Sequence, residues 1–192
     1  MQLERSAIHA LTQRLISVSE YYQMAHHGII GDDERVELLC GKIIPMSPIG
    51  KRHALCVNQF AQVLLPILGT QASLTIQNPI QIDDYTEPEP DLAIIQAPLT
   101  RYVDHHPRPE EVYLVIEVAD TTLQKDRMVK LPLYARAGIP ECWIVNVEGK
   151  AIEVYREPEA DGYLHKQTLR GGQTMTLPLG LGEVAVSEVL VG

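Results

Sequence analysis

Seven consecutive residues, Val112-Tyr113-Leu114-Val115-Ile116-Glu117-Val118, are almost wholly apolar and rich in β-branched side chains. A half-exposed strand alternates apolar and polar positions, so a near-continuous run predicts a strand covered on both faces. Such a strand sits at the centre of a sheet with helices on either side, which sets the fold class as α/β. Glu117 is the exception within the run. An ionised carboxylate there is costly unless a cation, hydrogen bonds or a metal ion compensates it.

The segments around this strand fit the same architecture. Residues 19–27 predict a short helix with Ser19 as N-cap and Gly28 as its stop. Val36-Glu37-Leu38-Leu39 and Lys42-Ile43-Ile44 predict a hairpin turning at Cys40-Gly41. Residues 51–68 carry a helical apolar stripe that Gly69 can end, with Pro66 in the last turn. Strands are expected at 73–77, 80–83 and 91–95, and a helix at 126–137, where Pro132 fits only if the regular helix starts late or kinks. A buried strand at 141–147, an alternating one at 151–156 and an edge strand at 163–169 complete the pattern. With 192 residues and no shift in composition, residues 1–192 are expected to form a single domain.

Composition excludes several classes of function. No segment offers the ~18 uninterrupted apolar residues of a membrane span. The N-terminus lacks the basic and apolar segments of a signal peptide, so the expected location is the cytoplasm. Cys40, Cys56 and Cys142 are odd in number and lack a Cys-x-x-Cys pair, which argues against a disulfide framework or structural zinc. His26-His27 and His105-His106 are adjacent rather than four apart, giving zinc catalysis little support. No glycine-rich phosphate loop or nucleophile elbow is present. The formal charge of −9 requires any nucleic-acid contact to be local.

Three acids lie on or beside predicted strands: Glu37, Asp91 after Glu87-Pro88-Glu89-Pro90, and Glu117. Two such acids from neighbouring strands could hold Mg²⁺ or Mn²⁺, which take oxygen ligands and retain water. Lys130 lies one turn after Asp126 and one before Tyr134, so the three can share a helix face close behind the Glu117 strand. His53 follows Lys51 and Arg52 at a helix start, a place suited to phosphate. The bland reading makes Asp91 a turn residue, Glu37 a solvent-facing strand position and Lys130 a solvated lysine. Residues 98–110, with Arg101, His105 and Arg108 between prolines, read as a substrate-facing flap or a plain loop.

Glu37 with Gly41, His53, Pro90-Asp91, Glu117-Val118, residues 126–130, Tyr134-Ala135-Arg136-Ala137-Gly138 and Pro140-Glu141-Cys142-Trp143 together resemble the Uma-two family. That family belongs to the PD-(D/E)XK nuclease superfamily, and the likeness spans about residues 19–156. The resemblance implies a restriction-endonuclease-like core, a mixed sheet flanked by helices, extended here by the N-terminal helix and hairpin and by C-terminal strands. It also implies metal-dependent hydrolysis of DNA phosphodiesters. Asp91 and Glu117 would be metal ligands, the Val118 carbonyl a further one, and Lys130 the catalytic lysine. The superfamily places that lysine two residues after the second acid, where this chain has Ala119. Residues 51–68 also lack the acid that many members carry on the first core helix, leaving Glu37 or His53 to complete the site. A C2 homodimer is the expected assembly, because two sites cut two strands. The alternatives are an inactive relative that binds nucleic acid or protein, and a hydrolase of smaller phosphodiesters.

Overall fold

The computed structural model describes residues 13–190, which form two compact units. The first comprises residues up to 46 together with 83–87, and the second comprises 47–82 and 88–190.

The first unit is built on helix α1 (Val18–His26) and a hairpin of β1 (Val36–Leu39) and β2 (Lys42–Pro45). Ser17, rather than Ser19, caps α1: its hydroxyl accepts from the Glu20 N–H, and the Glu20 carboxylate accepts from the Ser17 N–H. This reciprocal box fixes the helix start two residues early, because it needs a glutamate three positions on. The hairpin turns at Cys40-Gly41 as predicted. Gly41 has φ +71°, and a Cβ there would run into Leu15. Residues 83–87 return alongside, the Glu87 N–H donating to the Leu38 carbonyl at 2.7 Å.

The second unit holds a six-stranded mixed sheet in the order β3-β4-β5-β6-β7-β8. Its strands are β3 (Ala72–Ile76), β4 (Leu92–Gln96), β5 (Val112–Ala119), β6 (Glu141–Asn146), β7 (Ala151–Glu159) and β8 (Gly162–Arg170). Every neighbouring pair is antiparallel except β5 and β6, which are parallel and therefore need a crossover. The apolar run is β5, one of the two innermost strands. Residues 80–83, expected as a strand, form no strand; their main chain bonds irregularly, Ile80 to Pro88 and Gln81 to Pro107.

Two apolar layers cover the sheet. Helix α2 (Lys51–Leu68) lays Phe60, Leu64 and Leu68 over Leu92, Ile94, Leu114, Ile116 and Trp143. Val115, Ala119, Cys142 and Ile144 face the other way, against Tyr134 and Ile139 of the crossover. The crossover is helical in three pieces: an α-turn Leu123–Lys125, a π-helical stretch Asp126–Lys130, and α3 (Leu131–Arg136). The π stretch answers the difficulty of Pro132. It falls at the start of α3, where its missing N–H costs little. A small sheet of β9 (Thr174–Thr176) and β10 (Glu183–Ala185) with α4 (Val186–Val189) closes the chain. No helix among the described residues is long and apolar enough to cross a membrane.

Candidate active site

The strand period decides what Glu117 meets. Leu114, Ile116 and Val118 point into the layer under α2, so Glu117 points with Val115 and Ala119 towards the crossover. There it is 3 % exposed, and both Lys130 Nζ, at 3.0 Å, and the Tyr134 hydroxyl, at 2.6 Å, donate to its Oε1. Lys130 is itself 4 % exposed and donates further to the Glu89 carbonyl at 3.1 Å. This lysine is a buried ammonium aimed at the central strand, not a solvated helix residue. The π stretch puts Asp126 on the same buried side, where its carboxylate accepts from the Thr122 hydroxyl at 2.6 Å.

Asp91 ends the Pro88–Pro90 approach to β4, at the C-terminal end of β5. It is a part-buried group with both oxygens engaged. Oδ2 accepts from the Val118 N–H at 2.8 Å, and Oδ1 lies 2.9 Å from His53 Nε2 in the first turn of α2. In a strand the N–H and C=O of one residue face the same edge, which sets the Val118 carbonyl on the Asp91 side. The Nδ1 atom of His53 is buried without a hydrogen-bond partner.

The second unit thus gathers Asp91, Glu117, Asp126, Lys130 and His53 at one end of the sheet. Glu37 lies in the first unit, on β1, and is 2 % exposed despite its alternation with Val36 and Leu38. Tyr134 and Asp126 were legible as sharers of the Lys130 face but not as partners in the network. Residues 98–110 fold as two 3₁₀ turns, Leu99–Tyr102 and Pro109–Glu111, joining the end of β4 to the start of β5. They therefore lie at the sheet end opposite Asp91 and Glu117.

Electrostatics sharpen the arrangement. Burial pushes the Glu117 carboxyl up to about 8; Lys130 and the Tyr134 hydroxyl oppose this, and the charges of Asp126 and Asp91 reinforce it. The ion-pair distance to Lys130 therefore does not imply a fully ionised pair near neutral pH, since burial outweighs one ammonium. Burial raises Asp126 as well, against the Thr122 hydrogen bond and the Lys130 charge. Asp91, Glu117 and Asp126 lie close enough for their charges to act on one another beside Lys130. Among the described residues no three His, Cys, Asp or Glu side chains form a ready-made metal cage.

A second network supports the crossover on the same face of the sheet, from β7. Glu153 on β7 is buried and accepts from Arg127 Nε and Nη2 at 2.9 and 2.8 Å and from the Tyr155 hydroxyl at 2.8 Å, with Lys166 Nζ at 2.7 Å. Burial opposes ionisation here too, but the Arg127 and Lys166 hydrogen bonds win and hold the Glu153 carboxyl below its ordinary range.

Comparison with known proteins agrees with this architecture. None of the curated proteins matches the chain. A crystal structure described as "a putative nuclease belonging to DUF820", from Anabaena variabilis, superposes with a TM-score of 0.68 at 13% identity. The match covers 91% of this chain and 97% of that one, and at this identity it speaks for the fold alone. Residues 18–188 match the model of the Uma2 family, described as "Putative restriction endonuclease". A match across that much of the sequence settles the family: this chain belongs to Uma2.

Proposed function

We propose that the chain is a metal-dependent endonuclease that hydrolyses DNA phosphodiester bonds, with Mg²⁺ or Mn²⁺ held by Asp91, Glu117 and the Val118 carbonyl. The observation that carries the reading is the buried Glu117 on β5, facing a buried lysine and backed by two further acids. Two acids at the ends of neighbouring strands, beside a buried lysine, supply the oxygen ligands that a hard divalent ion takes. A bound divalent ion would polarise the scissile phosphate and lower the pKa of a coordinated water.

The remaining work belongs to the chain. Lys130 is held by Glu117 and the Glu89 carbonyl, so its ammonium is positioned before substrate arrives and can orient the attacking water and stabilise developing charge. Tyr134 and Lys130 take Glu117 Oε1, which leaves Oε2 for the ion. His53 and the Val118 N–H each fix one oxygen of Asp91, and His53 completes the site. In this reading Lys130 replaces the lysine absent at Ala119. A cytoplasmic C2 homodimer presents one site to each strand.

Plasmid nicking and linearisation in Mg²⁺, Mn²⁺ or EDTA, run beside Asp91→Ala and Lys130→Ala proteins, tests the proposal. Metal-dependent cleavage lost in both variants supports it. Cleavage by Asp91→Ala equal to that of the parent refutes the site. A second reading, a non-catalytic binding module, draws on the fact that every Asp91 oxygen and Glu117 Oε1 already has a protein partner. It gains if DNA binds but no metal supports cutting.

A further inference from the structure

A cleft of about 210 Å³ opens beside the candidate site on the α2 side of the sheet. Arg52, Leu55 and Cys56 line it from the first turns of α2, Val147 and Lys150 from the β6–β7 turn, and Leu190 from the end of α4. Arg52 and Lys150 are exposed, and Leu55 is an exposed leucine at 50 %. Glu148 also lines the cleft, so cations outnumber acids by two to one.

Three observations tie this cleft to Asp91. Arg52 immediately precedes His53, whose Nε2 lies 2.9 Å from Asp91 Oδ1. Cys56 packs behind the cleft with its thiol raised to about 12, first by burial and then by the charge of Asp91. The β6–β7 turn leaves the same end of the sheet as Glu117, because β5 and β6 run parallel. The first N–H groups of α2, eighteen residues long, also have no side-chain cap, and so add donors beside Arg52.

We infer that this cleft holds one unpaired nucleotide of the DNA strand next to the scissile phosphate, with its phosphate on Arg52 and Lys150 and its base against Leu55, Val147 and Leu190. This rests on the nuclease reading and adds a substrate class to it: DNA with a single-stranded segment at the cut, such as a flap, gap or frayed end. An apolar cleft with a cationic rim matches the two halves of an unstacked nucleotide, a hydrophobic ring and an anionic backbone. Paired bases would keep their faces stacked on each other and leave the apolar wall unused.

The experiment is fluorescence anisotropy of a labelled single-stranded oligonucleotide and its duplex, in EDTA, across a salt series. The wild-type chain is compared with Arg52→Ala/Lys150→Ala, with Leu55→Glu, and with a charge-matched control, Arg101→Ala/Arg108→Ala, at the opposite end of the sheet. Tighter binding of the single strand is expected, as is a fall of about 1.4 in the slope of log K against log[salt] for the first pair, two contacts at ~0.7 each. The control pair should keep the wild-type slope, and Leu55→Glu should lose the single-strand preference. Equal slopes in both double variants, or a preference for duplex, would overturn the inference. Because EDTA removes cleavage from the readout, binding with the expected slopes but no metal-dependent cutting sinks the nuclease reading alone. Cutting with unchanged slopes sinks the cleft alone.

Discussion

Replacing Glu117 by Gln should flatten the dependence of stability on pH between about 5 and 8. In the folded chain the Glu117 carboxyl is pushed from its ordinary 4.5 up to about 8, chiefly by burial. A folded-state pKa raised above the unfolded value gives stability that is complete below 4.5 and lost as pH climbs towards 8, since the unfolded chain releases a proton that the folded one keeps. The folding constant should therefore drop about tenfold per pH unit through that window, on the order of 4 kcal/mol from pH 5 to 8. For a chain of this size that is roughly 8–16 °C in Tm. Glutamine keeps the shape and can still accept from Lys130 and Tyr134, but it has no proton to release. Asp126 and the surface groups are common to both proteins and largely cancel in the difference. Trp143, the sole tryptophan and fully buried, reports unfolding by its fluorescence during urea titrations in EDTA. A wild-type-minus-variant difference that stays constant from pH 5 to 8 would refute the reasoning, because it would mean that Glu117 ionises as an exposed glutamate does.

Three further outcomes follow from the same contacts. Lys130→Met removes the cation opposing the Glu117 shift, so its stability deficit relative to wild type should widen about tenfold per pH unit above pH 8; a constant deficit up to pH 9.5 counts against the coupling. Tyr134→Phe deletes a 2.6 Å hydrogen bond to a buried carboxyl and should cost about 1.5–3 kcal/mol by urea denaturation, with an unchanged midpoint as the contrary result. Glu153→Ala removes the acceptor shared by Arg127 and Lys166, whose side chains remain 31 % and 45 % exposed and can take up water, and should cost about 1–2 kcal/mol, whereas an unchanged urea midpoint would show that the network contributes little.

The sequence made the framework readable where hydrophobic period and punctuation agree. The helix Lys51–Leu68 came out residue for residue, because its apolar stripe is long and Gly69 ends it. The hairpin at Cys40-Gly41 and the central place of β5 were equally plain. Residues 80–83 misled because their apolar alternation is too short to outweigh the prolines around them. Within the site, Asp91, Glu117 and Lys130 could be listed from residue type and order, but their partners could not. That Tyr134 bonds Glu117, or that His53 meets Asp91 across 38 positions, depends on how layers stack rather than on any local pattern. The burial of Glu37 also escaped notice, since alternation with Val36 and Leu38 reads as outward-facing.

The π-helical stretch Asp126–Lys130 amounts to one surplus residue wound into a helix. Deleting a single residue within it would let the segment rewind as ordinary α-helix, and every side chain upstream would swing by about 100° relative to α3. Tyr134 would stay packed under the sheet while Arg127 swung away from Glu153, the Thr122–Asp126 pair turning with it as one unit. The alignment between the two charge networks is thus stored in chain length, and a length change of one is a sharper perturbation of this site than most substitutions within it.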